Sequence, residues 1–195
     1  VYITRIVLTS KGQRQARDIR AIHQTVGYLT DASTGRVLWC LPRRDLLIVQ
    51  ADHPCDVRLT PGLAVSSAHA EVCTDWAAGQ RVLVSLIAVP EVAVSRPGRQ
   101  RSVRRPLTVD DWPGWLERRL AGALTLDDIQ VEPMGARIGR KAGTRIIVDW
   151  VGYAAAGTVM DPATLAALQR DGVGPHKAYG AGLLLVTTDS KARAA

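Results

Sequence analysis

No stretch of the 195-residue sequence is apolar for long enough to cross a bilayer. The longest run, Val82 to Val89 before Pro90, falls far short of the ~20 residues that a spanning helix needs. A charged n-region followed by an apolar h-region is missing from the opening residues, so a cytoplasmic protein without membrane contact is expected. Cysteine is scarce: Cys40, Cys55 and Cys73 are odd in number and widely spaced, which argues against a secreted disulfide framework and for free thiols in a reducing compartment. Long polar segments are lacking as well, and with 47% hydrophobic and 22% charged residues the chain has the material for a real core and a soluble globular fold. Metal-ligand spacing is equally thin. His53, Cys55, His69 and Cys73 have side chains zinc could use, but H-x-C followed by H-x-x-x-C is not the spacing of a finger or ribbon; buried thiols and loop histidines explain them more simply, and no metal site is expected.

Acid is in deficit. Eighteen carboxylates face 25 lysines and arginines, a formal charge of +7 and a pI near 9.8. Arginine carries most of the excess, and its planar fork suits bidentate phosphate binding better than lysine does. A polyanionic partner and the codon usage of a GC-rich genome both produce such a bias, so the distribution of the charges has to decide.

The length fits one large domain or two of about 95 residues each. The N-terminal half reads strand, helix, strand, strand, short helix, strand. Residues 2–9 are rich in β-branched types, 36–41 and 45–51 are short apolar runs split by Pro42 and two arginines, and 81–89 is a continuous apolar strand. Between the first two strands, Ile19, Ile22, Val26 and Leu29 recur at helical spacing and define one buried stripe. A short helix is expected within Thr60 to Ala78. The C-terminal half repeats the pattern. Thr108 and Asp111 resemble a capping box ahead of an apolar face of Trp112, Trp115, Leu116, Leu120 and Ala123. Asp161 and Pro162 form an N-cap and first-turn pair, with Gly172 ending that helix. Strands are expected at 126–132, 144–159 and 183–188, while 91–96 and 101–107 form either a hairpin around Pro97-Gly98 or a linker. Two successive strand-helix-strand-strand-helix-strand patterns predict an α+β chain of two tandem ferredoxin-like domains, 1–95 and 108–195, joined by a basic segment at 96–107.

Basic residues cluster in three places. Residues 96–105 (RPGRQRSVRR) hold five arginines and no acid, including Arg99, Arg101, Arg104 and Arg105; Arg137, Arg140, Lys141 and Arg145 lie among glycines; and Lys11, Arg14, Arg17 and Arg20 surround the first helix. A single basic run is ordinarily a solvated loop, but three acid-poor clusters in separate elements point to a phosphate-tracking surface. At about 100° per residue, His23 falls about 80° from the centre of the apolar stripe, bordering the face that carries Arg17 and Arg20. An imidazole there could exchange protons with a ribose hydroxyl or a leaving oxygen, and Arg20 one turn earlier disfavours the imidazolium. An ordinary boundary histidine would occupy the same position. The segment GVGPHKAYGAG, Gly172 to Gly182, places Lys177 and Tyr179 among four glycines. Its backbone could approach a phosphate closely while one cation and one ring reach the ligand, or it could be a helix cap followed by a tight turn. It follows a helix and leads into a strand, which excludes a Rossmann or Walker loop.

The segment GVGPHKAYGAGLLLV resembles the glycine-rich loop of CRISPR-associated repeat-processing endoribonucleases of the CasE family, from type I-E systems. VYITRIVL and the following helix with IHQ resemble that family's first strand and catalytic-histidine helix, and PGRQRSVRRPLTVDDWPGWLERRL resembles its middle segment, so the likeness spans nearly the whole chain. It implies cleavage of CRISPR precursor RNA at the base of each repeat hairpin by 2′-hydroxyl attack, leaving a 2′,3′-cyclic phosphate and a 5′-hydroxyl, without metal or other cofactor. It also implies a protein that is a monomer when isolated and joins other Cascade subunits around the hairpin RNA. His23 matches the family's general acid/base. Arg20 stands where members often carry a tyrosine, and is assigned to the pentacoordinate phosphate. RNA contact is assigned to Arg17, Arg99, Arg101, Arg104, Arg105, Arg137, Arg140, Lys141, Gly174, Lys177, Gly180 and Gly182. Two other functions stay open on the residues alone: a subunit that holds repeat RNA without cutting it, and a small-molecule sensor built from the same fold.

Overall fold

The computed structural model describes residues 1–30, 35–95, 103–141 and 144–189. Arg99 and Arg101 lie outside the described residues, as does the side chain of Lys141. The chain runs β1 (Tyr2–Leu8), α1 (Ser10–Gln15), α2 (Ile19–Leu29), β2 (Leu38–Arg43), β3 (Leu46–Ala51) and β4 (Ala64–Glu71). It continues through β5 (Arg81–Ala88), β6 (Glu91–Val94), β7 (Val103–Pro106), α3 (Trp112–Leu120), β8 (Leu124–Lys141), β9 (Thr144–Val159), α4 (Pro162–Asp171) and β10 (Leu184–Thr188). Two antiparallel four-stranded sheets result, ordered β2-β3-β1-β4 and β10-β5-β9-β8, each the pairing of a ferredoxin-like βαββαβ unit. A two-stranded β6-β7 hairpin stands apart from both.

Two expectations are corrected. No helix forms within Thr60 to Ala78: a single 3-10 turn, Val57–Leu59, precedes that span, and Ala64–Glu71 instead forms β4. This segment has no apolar stripe to bury, whereas β1 has a free edge; β4 fills it in register from Tyr2↔Glu71 to Val7↔Ser66. Because that edge is taken, the apolar strand at 81–89 does not close the first sheet. As β5 it pairs with β9 and β10 and opens the second unit, so the expected boundary after residue 95 falls inside that unit.

The helical stripe of α2 is buried as its spacing requires: Ile19, Ile22, Val26 and Leu29 are each at most 2% exposed and share one core with Ile6, Leu8, Leu47 and Val49. Each such side chain contributes about 1.5–3 kcal/mol by leaving water. Asp18 caps the helix, accepting from the Arg20 and Ala21 amides at 2.8 and 3.2 Å. The second core joins Val82, Val84 and Leu86 of β5 to Trp115, Leu116 and Leu120 of α3 and Leu165 of α4. Trp39 of β2 and Trp150 of β9 meet edge to face at 6.3 Å in the first core, so the two units share buried surface. Gln50 adds a buried hydrogen bond across them, donating to the Gln169 carbonyl at 2.8 Å.

Candidate active site

The capped start of α2 is pressed against the long β8-β9 hairpin. Asp18 bridges Ile138 in parallel, and a Cβ on Gly139 would stand 2.9 Å from Ile19 Cγ1 and 3.1 Å from the Arg20 amide. Only glycine lets this strand pass so close. The hairpin therefore carries Arg137 and Arg140 past the helix that bears Arg20 and His23.

The same crowding shapes the glycine-rich segment. Gly180 has φ +77°, and a Cβ there would meet the Trp39 and Trp150 rings at 2.6 Å. Gly174 would meet Trp115 at 2.9 Å, and Gly182 the Val173 carbonyl at 2.6 Å. What these three glycines accommodate is the protein's own rings and backbone. Trp150 Nε1 donates to the Tyr179 carbonyl at 3.1 Å, which fixes the loop from beneath. The loop thereby meets the first helix: the Tyr179 ring stands edge-on to His23, centroids 6.3 Å apart at 61°.

His23 is half-buried. Burial, and after it the Arg20 guanidinium, hold its imidazole below the ordinary histidine range, which favours the neutral ring. Arg137 lies over the Trp150 ring, 4.9 Å from its centroid, and burial followed by the Arg44 charge lowers its own affinity for a proton. A cleft of about 460 Å³ opens between the turn joining α1 to α2, the end of β2 and residues 136–138 of β8, toward the tip of the long hairpin. Its charged lining is Arg17, Arg43, Arg44 and Arg137, without a carboxylate. Arg43 is already engaged by Asp45 at 3.1 Å, which leaves Arg17, Arg44 and Arg137 as the cations most open to an incoming anion.

A second basic hollow, about 340 Å³, lies on the other side of the glycine loop and is lined by Arg104, Arg119, Lys177, Gly172 and Gly174. Desolvation, then Arg36 and Arg119, depress the Lys177 pKa against the opposing pull of Asp171. Arg105 and Arg140 are exposed on their strands and line neither recess.

The structure thus brings His23 together with Arg20 and the loop at Tyr179, places Arg17 and Arg137 in one cleft, and sets Arg104 and Lys177 in another hollow. It adds residues that the sequence reading did not assign. Arg43 and Arg44 were visible as the pair interrupting two apolar strands. Trp39 and Trp150 carried no signal beyond burial. Glu91 and His176 pair across 85 positions, the His176 Nε2 lying 3.2 Å from both carboxylate oxygens. Among the described residues no three of His, Cys, Asp or Glu are grouped to hold a metal ion, and His53, Cys55, His69 and Cys73 do not gather. No helix among them is long and apolar enough to cross a membrane.

A family model described as "CRISPR associated protein" matches residues 1–188. The chain is 27% identical over 212 residues to the CRISPR-associated endoribonuclease Cse3 of Thermus thermophilus, covering 95% of this chain and 99% of that protein. It superposes on a CRISPR endoribonuclease Cse3 bound to a 19-nucleotide RNA with a TM-score of 0.81 at 25% identity, covering 96% of this chain and all of the other. A chain of a CRISPR RNA-guided surveillance complex shares the fold, with a TM-score of 0.69 at 20% identity over 96% of this chain and 100% of that one.

Proposed function

The chain belongs to the CRISPR associated protein family, and from that premise we propose that it is an endoribonuclease cutting CRISPR precursor RNA at the base of the repeat hairpin. The observation that carries this reading is a half-buried, neutral-leaning imidazole, His23, within the field of Arg20 and edge-on to Tyr179 of the glycine-rich loop, on a helix before whose start a cleft lined by arginines opens. The relative that is an endoribonuclease, and the one bound to RNA, support it. In this reaction the ribose O2′ bonds to the adjacent phosphorus while the P–O5′ bond breaks. His23 takes the O2′ proton, the 5′-oxygen takes one from solvent, and the products are a 2′,3′-cyclic phosphate and a 5′-hydroxyl. Arg20 offsets the charge that builds on the pentacoordinate phosphorus. Arg17 and Arg137 of the cleft and Arg104 and Lys177 of the hollow hold the A-form backbone, with the exposed Arg105 and Arg140 and with Lys141 as further contacts. Arg99 and Arg101, outside the described residues, are assigned to RNA contact in the same reading. Gly174, Gly180 and Gly182 act through the shape of the loop that presents Lys177. The reaction needs no metal, proceeds in the cytoplasm, and leaves the monomer bound to its product as a subunit of Cascade.

Labelled repeat hairpin incubated with the protein in EDTA tests this. A cyclic-phosphate product is expected from the wild type, with none from His23→Ala at unchanged hairpin affinity. Because the imidazole must be neutral and its pKa is held down, the rate should rise with pH through a limb below the ordinary histidine value of about 6.5. Cleavage by His23→Ala at the wild-type rate would sink the assignment. Binding without any cleavage by the wild type would leave a subunit that only holds RNA.

A further inference from the structure

His23 receives no side-chain hydrogen bond among the described residues, so its ring must be oriented by packing. We infer that a relay of three side chains, Glu91, His176 and Tyr179, positions the His23 imidazole, so that the β6-β7 hairpin and the glycine-rich loop together set the geometry of the proton-transfer group. This inference rests on the proposed role of His23 and extends it to residues outside the first helix.

Four contacts carry it. Tyr179 is the one aromatic neighbour of His23 among the described residues, edge-on at 6.3 Å. The Tyr179 ring lies 6.5 Å from His176, tilted by 37°, and its amide donates to the His176 carbonyl at 2.8 Å. His176 holds a left-handed backbone, φ 60° and ψ 27°, a region that residues with a Cβ visit uncommonly. Its side chain is held by Glu91, at the start of β6, whose carboxylate accepts from His176 Nε2 at 3.2 Å to each oxygen. Both partners are sheltered, with side chains 12% and 27% exposed, so the pair is screened less than a surface contact. Tyr179 is thus held on its other side by Trp150 through its carbonyl and turned toward α2 by His176. Glu91 opens the strand whose partner, β7, carries Arg104 and Arg105; Ala93 pairs with Arg104 and Val92 with Arg105. RNA docked on those arginines would bear on the same hairpin that anchors the relay.

The elements packed around His23 bring few competing charges. On its own helix there is Arg20. The loop brings His176, Lys177 and Tyr179, the long hairpin Arg137 and Arg140, and the 3-10 turn before β4 Arg58 with its capping Asp56. Of these, Arg20 is the one whose field alters the His23 pKa, and burial outweighs it. Removing the Tyr179 ring admits water to the imidazole and raises its pKa, which moves the limb of the pH–rate profile to higher pH.

The decisive experiment compares Tyr179→Leu, Tyr179→Phe, Glu91→Gln and the double variant Glu91→Gln/Tyr179→Leu in single-turnover cleavage of the repeat hairpin, with hairpin affinity and melting temperature measured alongside. Tyr179→Leu should lose about tenfold in rate, the scale of one aromatic pair, with affinity kept and the pH limb displaced upward. Tyr179→Phe, which keeps the ring, should restore the rate. The double variant should be no slower than Tyr179→Leu, because Glu91 acts through the ring that is already gone. Losses that add, an unmoved pH limb, or failure of phenylalanine to rescue would overturn the relay. If His23→Ala still cuts, the reading beneath it fails; if His23→Ala is dead and Tyr179→Leu cuts at the wild-type rate, only the relay fails.

Discussion

Alanine at Gly180 attacks the place where the two sheets, the glycine loop and the imidazole meet. The residue sits at φ +77°, which costs a residue with a Cβ about 1–2 kcal/mol. The added methyl also lands 2.6 Å from ring atoms of both Trp39 and Trp150, which are each 1% exposed and cannot swing into solvent. Overpacking of that kind costs about 1–3 kcal/mol, so the loss should total about 2–5 kcal/mol. For a chain of this size 1 kcal/mol moves the melting temperature by about 2–4 °C, which predicts a fall of about 4–20 °C. Gly27 is the internal control: it lies in α2 with nothing within 4 Å of a built Cβ, so Gly27→Ala should stabilise by about 0.4–1 kcal/mol and leave cleavage alone. Thermal unfolding by circular dichroism reads both. Gly180→Ala should also lose cleavage at temperatures where it is still folded, because moving Trp150 releases the Tyr179 carbonyl. A melting temperature within about 1 °C of wild type would show that the tryptophans yield, and would refute the claim that this glycine is fixed by packing.

Two further perturbations separate binding from folding. Arg137→Ala removes a cation that lines the cleft and lies over Trp150; if it contacts phosphate as proposed, hairpin affinity should drop and the slope of log affinity against log salt should flatten by about 1, and an unchanged slope would take Arg137 off the RNA path. Asp18→Ala deletes both cap bonds of α2 and should destabilise by about 0.5–2 kcal/mol in urea unfolding, while affinity measured well below the transition stays near wild type. Loss below 0.2 kcal/mol would mean that the Ile138 bridge alone secures the helix start.

Elements whose signal is local were legible in the sequence. The stripe of α2 and the Asp161-Pro162 start of α4 are written in residues within one or two turns of each other, and the structure has Asp161 accepting from the Ala163 amide with Gly172 at φ +74° past the end. The Thr108-Asp111 box was half right: the Thr108 hydroxyl donates to the Asp111 carboxylate at 2.8 Å, and neither side chain caps a backbone amide. Sheet membership was not legible. The continuous apolar run of β5 says that it is a core strand and nothing about which sheet takes it, and β4 has hardly any apolar pattern because it lies exposed along an edge. Helix α1 was missed because its cap, Thr9 accepting from the Gly12 amide at 3.1 Å, opens a run with little apolar content of its own.

The site divides along the same line. The position of His23 beside the stripe followed from helical geometry, and its neighbourhood with Arg20 from a spacing of one turn. What turns that boundary histidine into a poised one is supplied by residues far away in sequence: Tyr179 against the ring, Trp150 under the Tyr179 carbonyl, Arg137 over Trp150, and Gly139 letting the hairpin touch the helix. The glycines of the loop looked like a cradle for a ligand because closeness to phosphate and closeness to a tryptophan make the same demand, the absence of a Cβ. Here the protein's own rings and backbone meet that demand at Gly174, Gly180 and Gly182, and the loop is rigid as a consequence. A rigid loop can hold an imidazole in one orientation before any RNA arrives, so mutations that loosen it should lower the rate of cutting more than the strength of binding.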